Sequence, residues 1–473
     1  MIKTSAKQRA FSWYASLMAC VLVLALGFGL AVPPAYADVR KADVVYGLTV
    51  DSRGLSVAQC PSIDAEYALV MDSEGTVYFE RNADSPTQIA SITKIMTALV
   101  ALESAPLDTL ITTSSRAATV GESSASLLEG DTMTLEIALK ALLLSSGNDA
   151  AIAIAENVGR LLYEQGGGDA SGLSETEAEA VFLERMNGRA AELGCTDTVF
   201  ENPHGLDDGI WQGDQHSCAA DVAIMAQAAM KNEVFRTIVA TPNETIEVTR
   251  ADGTKASLYL ESTDEMLKNG FEGACGIKTG FTALAGPSFA GAANRNGVEM
   301  YAIVIHSTSE AQRFTDAQTL LDWVFDHTTE YRLVNTSQTA SSNAGGSSDE
   351  VPVLAEVAHT GWIDRTVKAT VADPDQVIDI FDLNGNISQS VEYEELEGNV
   401  HAGDKIGTLT FKQRNNVMAT VDLIAAEDVD APDLLEGIGV WWDRLFRGFS
   451  GQPSVAENVL YNETPLVIDK ANA

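Results

Sequence analysis

The chain has 473 residues, which is too long for one ordinary hydrophobic core, so at least two folded domains are expected. Hydrophobic residues make up 45% of it, which excludes an intrinsically disordered protein. Its 67 acidic residues outnumber 30 basic ones, giving a formal net charge of -37. This charge argues against DNA or RNA as a partner, because phosphate binding needs clustered Lys and Arg.

The N-terminus has the features of a secretory signal. Three basic residues within the first nine precede an apolar run over residues 14–32, and an A-x-A site follows at Ala35-Tyr36-Ala37. This order predicts a signal peptide over residues 1–37 with cleavage after Ala37. A retained transmembrane anchor is the alternative, because the apolar run approaches spanning length. In both cases the folded part is exported and works outside the cytoplasm.

Four cysteines remain after cleavage: Cys60, Cys195, Cys218 and Cys275. They show no C-x-x-C spacing, so no metal site is expected. An exported protein permits one or two disulfides, and four cysteines allow three full pairings, which stay open.

The first folded segment mixes strands and helices. Residues 67–72 and 76–80, separated by a Ser-Glu-Gly turn, predict a β-hairpin. Apolar spacing predicts helices from residue 91 and over residues 134–144, 149–162, 175–193, 219–229 and 310–325, and strands over 288–293 and 299–306. Strands at both ends of a helical middle predict an α+β domain over residues 38–330.

The rest of the chain is predicted in four pieces. Residues 331–350 are rich in Ser, Asn and Gly and predict a flexible linker. Short β-like runs with turn signals predict a small all-β domain over residues 351–430. Large apolar residues at three- and four-residue intervals predict an amphipathic helix over 431–449, followed by a tail over 450–473. The helix, rich in Trp and Phe, predicts peripheral membrane contact, with packing onto the β domain as the alternative.

Three short motifs carry candidate chemistry. Ser91-x-x-Lys94 is the only S-x-x-K in the chain and places a hydroxyl and an amine one helical turn apart, where a lysine of lowered pKa can take the proton of the serine. Ser146-Gly147-Asn148 offers a hydroxyl to relay a proton and an amide to bind a peptide; Ser341-Ser342-Asn343 has the same S-x-N pattern but lies in the predicted linker. Lys278-Thr279-Gly280 occurs once, supplying a cation, a hydroxyl and room for a peptide backbone. S-x-x-K, an S-x-N element and K-T-G in this order form a set found in β-lactamases and penicillin-binding proteins.

The motifs and their flanks resemble the low-molecular-mass, serine-type D-Ala-D-Ala carboxypeptidases. The similarity covers residues 65–325 and includes the blocks 90–99, 143–151, 200–207 and 278–286. It implies a transpeptidase-like antiparallel sheet with helices, an all-β second domain and a C-terminal amphipathic helix. It also implies a place in the cell wall or at the outer face of the cytoplasmic membrane.

The resemblance implies acyl transfer without a metal or organic cofactor. Ser91 is the expected nucleophile, Lys94 its base, and Ser146 the group that passes the proton to the leaving D-Ala. The expected substrate-binding residues are Asn148, Lys278, Thr279, Gly280 and Phe281, with the backbone N–H groups of Ser91 and Phe281 as the oxyanion hole. The expected substrate is a peptidoglycan stem peptide ending in D-Ala-D-Ala, and β-lactams are expected to acylate Ser91.

Three other functions stay open. A serine β-lactamase needs a base for deacylation, and Glu184-Arg185-Met186-Asn187 lacks the E-x-x-L-N spacing of the commonest class. A D-Ala endopeptidase would use the same residues on cross-linked peptides. An inactive wall-binding protein predicts a lost motif residue, and none is lost.

Overall fold

The computed structural model describes residues 40–342 and 349–467. The chain divides after Trp323 into two compact units, each with its own hydrophobic core. The predicted signal segment, residues 1–37, lies outside the described residues.

The first unit is built on a seven-stranded antiparallel sheet with the order β2-β1-β4-β3-β11-β10-β9. Its strands, in chain order, are β1 Val44–Val45, β2 Leu48–Thr49, β3 Tyr67–Asp72, β4 Val77–Arg81, β9 Ala274–Gly280, β10 Ser288–Arg295 and β11 Val298–Ile305. A second sheet has the order β5-β6-β7-β8. Its strands are β5 Leu110–Thr112, β6 Thr132–Thr134, β7 Asn243–Thr249 and β8 Lys255–Glu261.

One short helix follows β2 directly, and most of the other helices lie between β4 and β9, in the same stretch as the strands of the second sheet. The helices are α1 Val50–Arg53, α2 Lys94–Ser104, α3 Ser115–Ala118, α4 Leu135–Leu143, α5 Asn148–Gln165, α6 Glu175–Leu193, α7 Ala219–Met230, α8 Glu233–Val239, α9 Glu265–Lys268 and, after β11, α10 Gln312–Asp326. Small residues let α5 and α6 pack closely, because a Cβ on Gly159 would lie 1.9 Å from the carbonyl oxygen of Ala178. The first unit is therefore an α+β fold, as predicted.

The second unit is mostly β. A six-stranded sheet has the order β18-β19-β20-β16-β15-β21, a pair β12-β17 forms separately, and β13-β14 is a hairpin. The strands are β12 Thr328–Arg332, β13 Thr339–Ser342, β14 Asp349–Pro352, β15 Ala355–Ala358, β16 Thr366–Thr370, β17 Val377–Phe381, β18 Ile387–Tyr393, β19 Lys405–Gln413, β20 Asn416–Ala425 and β21 Val459–Leu460. Between β20 and β21 lies α11, Leu434–Ser450.

Residues 331–350, predicted as a flexible linker, contain parts of β-strands at their described ends. Thr339 pairs with Pro352 and Ser342 with Asp349 in the hairpin, and residues 343–348 lie outside the described part. Tyr331 and Leu333 belong to the hydrophobic core of the second unit, whereas Ser342 is the only buried residue in 335–342. A hairpin is held by backbone hydrogen bonds, however, and these need no apolar side chain.

The four described cysteines are free thiols. Burial is the largest cause that raises the pKa of Cys195 and of Cys218, each to about 12, so both stay protonated at neutral pH. The sequence left three disulfide pairings open, and the structure selects none of them.

Candidate active site

The three motifs meet at one cleft of about 310 Å³ in the first unit. Six of the eight predicted site residues line it: Ser91, Ser146, Asn148, Thr279, Gly280 and Phe281. The other two, Lys94 and Lys278, are buried, with 0% and 1% of their surfaces exposed. The structure therefore brings all the predicted residues to a single place.

Ser91 and Lys94 are in contact because of where a helix begins. Ser91 lies in the 3-10 turn Ala90–Thr93, and Lys94 is the first residue of α2. The three-residue spacing puts the two side chains on one side of the turn, with Lys94 Nζ 2.7 Å from Ser91 Oγ. Nζ also lies 2.7 Å from Asn148 Oδ1 and 2.8 Å from the carbonyl oxygen of His204.

Two effects lower the pKa of Lys94 well below its usual value of 10.5. Burial is the larger, because an ammonium group loses its hydration in the interior, and the nearby charge of Lys278 is the second. Asp149 acts in the opposite direction and is weaker. The site therefore favours the neutral amine at Lys94.

The second motif is stabilised by Asp149, a residue to which the sequence analysis gave no role. Asn148 begins α5, and its Nδ2 donates to the carbonyl oxygen of Gly121 at 3.1 Å. The neighbouring Asp149 accepts from the hydroxyl of Ser124 and from the backbone N–H groups of Ala125 and Leu127, at 2.6 to 3.1 Å. These bonds fix the loop over residues 121–127 on the side of the cleft that faces Ser91.

The third motif lies on β9 at the edge of the main sheet. Lys278 Nζ donates to the carbonyl oxygen of Thr279 at 2.9 Å. Burial, followed by the charge of Arg313, lowers the pKa of Lys278 to about 7, although Asp264 opposes the shift. A Cβ on Gly280 would lie 2.7 Å from the carbonyl oxygen of Ile89, so only glycine lets β9 approach the turn that carries Ser91.

Two residues that sequence reasoning missed complete this side of the cleft. Arg313 on α10 is 6% exposed, and its Nη1 donates to the carbonyl oxygen of Gly280 at 3.2 Å. Thr263 shares a hydroxyl contact of 2.6 Å with Thr279. Both line the cleft with Ser91. A single Arg on a helix gives no sequence signal, and neither does a lone Thr, because their place in the cleft depends on tertiary packing.

His204 and Gly205 belong to a segment that the sequence connected with the family but to which it gave no role. The backbone N–H of Gly205 donates to Asn202 Oδ1 at 2.7 Å, which closes a tight turn. Gly205 has a φ of +92°, and a Cβ there would lie 1.9 Å from the carbonyl oxygen of Ala90. The turn therefore packs against the residue before Ser91 and directs the carbonyl group of His204 at Lys94.

This part of the chain also matches a known protein family. Residues 55–309, more than half of the chain, match the family model described as D-alanyl-D-alanine carboxypeptidase. The chain belongs to this family. Residues 364–431 also match the model of the penicillin-binding protein 5 C-terminal domain, which lies within the second unit.

The matches between this chain and individual relatives in the D-alanyl-D-alanine carboxypeptidase family span most of the length of each relative. The Bacillus subtilis carboxypeptidase DacF is 27% identical over 377 residues, 77% of this chain and 86% of the relative. The Streptomyces K15 carboxypeptidase is 31% identical over 272 residues, 56% of this chain and 88% of the relative. The solved structure of the Streptomyces K15 DD-transpeptidase has a TM-score of 0.51 at 31% identity and covers 56% of this chain and 98% of that one.

Proposed function

We propose that the protein removes the terminal D-Ala from peptidoglycan stem peptides through an acyl-enzyme on Ser91. The observation that carries this proposal is the contact between the Ser91 hydroxyl and the fully buried amine of Lys94. Serine becomes a useful nucleophile only when a neighbouring base takes its proton, and a lysine acts as a base only when it is neutral. The lowered pKa of Lys94 supplies that condition.

The contacts of Lys94 support transfer of the proton from the Ser91 hydroxyl to the Lys94 amine. A neutral amine has two N–H groups and one lone pair. Asn148 Oδ1 and the carbonyl oxygen of His204 can only accept, so they take the two N–H groups. The lone pair is then left for the hydroxyl of Ser91, which donates its proton as its oxygen attacks the carbonyl carbon of the penultimate D-Ala.

The remaining steps use groups that line the same cleft. When the amide bond breaks, Ser146 passes the proton from Lys94 to the nitrogen of the departing D-Ala. The backbone N–H groups of Ser91 and Phe281 stabilise the oxyanion, and an Asn148 N–H holds the amide of the substrate. Water then hydrolyses the ester and frees Ser91. A β-lactam would follow the first half of this path and remain bound.

The free carboxylate of the substrate is proposed to bind at the Thr279 end of the cleft. Arg313 and Thr279 line the cleft with Ser91, and the buried Lys278 precedes Thr279 on β9. Arg313 Nε has no hydrogen-bond partner among the described residues although it is buried. A carboxylate bound beside Thr279 would interact with the positive charge of this guanidinium group, which a neutral ligand would not do.

Release of D-Ala from a D-Ala-D-Ala peptide tests the function directly. We expect one D-Ala to be released for each peptide cleaved. Penicillin should form an adduct that the enzyme releases slowly. Rapid penicillin turnover would instead indicate a β-lactamase, and preference for a cross-linked dimer over the pentapeptide would indicate an endopeptidase. Because the Streptomyces K15 relative is named a transpeptidase in its solved structure, an amine acceptor should be included to detect transfer.

Replacing Arg313 with Leu is expected to raise KM for a D-Ala-D-Ala peptide by about 10- to 100-fold, because a hydrogen bond to a charged group is lost. The same peptide with its C-terminal carboxylate amidated should be affected far less. Steady-state kinetics on both peptides measures the difference. Arg189→Leu, which breaks a surface ion pair with Glu103, is the control and should leave KM unchanged for both peptides. Equal losses on acid and amide peptides would contradict carboxylate binding.

We also propose that α11 holds the protein at the outer face of the membrane after export by residues 1–37. Leu434, Leu435, Trp441, Phe446 and Phe449 are 58 to 83% exposed, an unusual set for one helix in water. Within the second unit, the Arg444 side chain donates to the carbonyl oxygens of Thr360 and Trp362, so the polar side of α11 is held on the β domain. In the described ranges, no helix is both long and apolar enough to cross a bilayer.

Replacing Trp441 and Phe446 together with Ala is expected to weaken binding to phosphatidylcholine vesicles at least tenfold, because burial of two aromatic side chains in the interface is lost. Vesicle sedimentation measures this change. The control is Tyr259→Ala, which removes an exposed aromatic side chain on β8 of the first unit. Unchanged binding by the double variant would contradict the proposed membrane contact.

A further inference from the structure

A second cavity, here called the strand-end cavity, opens beside the catalytic cleft. It has a volume of about 790 Å³ and shares Phe281, Thr282 and Ala283 with the cleft. These residues follow Gly280 directly, so the cavity begins where β9 ends. A ligand that continues past Gly280 along this strand would reach it.

The direction in which the substrate lies in the cleft determines which part of the substrate reaches the strand-end cavity. The two cations of the site, Arg313 and Lys278, lie toward the Thr279 side, where the substrate carboxylate is proposed to bind. Ser91 attacks one residue before the end of the peptide. The residue preceding D-Ala-D-Ala therefore lies toward Phe281 and the strand-end cavity.

The charges in the cavity favour a cation. Asp64 and Glu66 are exposed residues of its lining. Arg81, which also lines it, is buried and paired with the buried Asp43 at 2.7 Å, so this pair adds no net charge. Arg40 also lines the cavity, and its Nη2 donates to Ser62 Oγ at 2.8 Å, so the two carboxylates exceed its single positive charge by one.

The two carboxylates retain room for a ligand. Asp64 Oδ2 accepts from the hydroxyl of Thr308 at 3.2 Å, which leaves further acceptor positions on the group. Glu66 Oε2 lies 3.8 Å from His306 Nδ1, and the Glu66 side chain is 56% exposed. Both carboxylates can therefore accept from an amine that enters from the cleft.

We propose that the strand-end cavity binds the side-chain ammonium group of the diamino acid that precedes D-Ala-D-Ala in the stem peptide. This inference rests on the proposed carboxypeptidase function and specifies which stem peptides the site prefers. The carboxylates of Asp64 and Glu66 are the specificity-determining groups. The mouth of the cavity is formed by Phe281, which is 55% exposed and can pack on the methylene groups of the same side chain.

Two peptides test the proposal: Nα-acetyl-L-Lys-D-Ala-D-Ala, whose side-chain amine is free, and the same peptide acetylated on that amine. We expect kcat/KM of the wild-type enzyme to be about three- to tenfold higher for the free amine, the size given by two partly exposed ion pairs. The Asp64→Asn/Glu66→Gln double variant should have a ratio near one, and Glu66→Lys should prefer the acetylated peptide. Glu74→Gln, in the turn between β3 and β4, is the control and should keep the wild-type ratio.

The outcomes separate this inference from the proposed function. If neither peptide releases D-Ala, the proposed function fails. If both are cleaved equally by the wild-type enzyme, or if the double variant keeps the preference, the ammonium site is wrong. A salt series needs no variant: raising the ionic strength from about 0.01 M to about 1 M shortens the Debye length from about 30 Å to about 3 Å and should abolish the preference. A preference that survives high salt would also overturn the proposal.

Discussion

Replacing Lys94 with Met is expected to slow acylation by penicillin about 10²- to 10⁴-fold, the usual contribution of a general base. Methionine fills most of the volume of the buried side chain but cannot take the proton of Ser91. Lys94→Arg should be equally slow, because a guanidinium group stays protonated at any pH at which the protein is folded. The rate of penicillin labelling, followed by mass spectrometry over time, measures the effect.

The control for this prediction is a lysine outside the cleft. Lys140→Met removes an amine that pairs with Glu136 and Glu244 at the surface, and labelling should continue at the wild-type rate. Loss of Lys94 also leaves Asn148 Oδ1 and the carbonyl oxygen of His204 without their donor, so the variant should be shown to be folded by its thermal transition. Rapid acylation of a folded Lys94→Met variant would mean that another group is the base. Ser146 would then be the next candidate in the cleft.

The pH dependence follows from the two lysines. The neutral form of Lys94 is the base, so activity should rise with pH as Lys94 loses its proton, well below the usual value of 10.5. The cation of Lys278 is needed for the carboxylate, and its pKa of about 7 predicts a fall in kcat/KM above neutrality. The bound carboxylate favours the charged lysine, so the fall in kcat should come at higher pH.

The second large effect is expected at Ser91. Ser91→Ala should release D-Ala at least about 10³-fold more slowly than the wild-type enzyme, because no other group in the described cleft combines a hydroxyl with a contact to Lys94. The cleft and its carboxylate site are unchanged in this variant, so a peptide substrate should still bind. Coupled detection of free D-Ala measures the rate, and binding of the intact peptide by calorimetry measures the affinity.

Ser145→Ala is the matched control for this prediction. Ser145 is the neighbour of Ser146 in the chain, but its hydroxyl donates to the carbonyl oxygen of Ala141 at 3.0 Å, away from the cleft. We expect nearly full activity from this variant. Activity that persists in Ser91→Ala, or disappears equally in Ser145→Ala, would disagree with the proposed nucleophile.

Much of the first unit could be predicted because its elements have strong local signals. Helix α6 begins and ends where expected, at Glu175 and Leu193, since Ser174 caps its start and Gly194 takes the left-handed conformation at its end. The hairpin of β3 and β4 was also expected and is confirmed. By contrast, the hairpin of β7 and β8 was missed, although Asp252-Gly253 between two β-like runs is a turn signal that could have revealed it.

Only those residues of the site that belong to the three motifs could be predicted from the sequence. Residue types and their order indicated Ser91, Ser146 and Lys278, and the structure places all of them together. The carbonyl group of His204 could not be predicted, because any residue type offers one and the contact joins positions 110 residues apart. Arg313 was missed for a similar reason: it reaches β9 from a helix 33 residues farther along the chain.

Peptide mapping of the penicillin-treated enzyme by mass spectrometry is the most direct test of Ser91 as the nucleophile. The wild-type protein should carry one penicilloyl group, located on the proteolytic peptide that contains Ser91, and Ser91→Ala should carry none. An adduct on a different serine, or an adduct of equal amount on Ser91→Ala, would contradict the account.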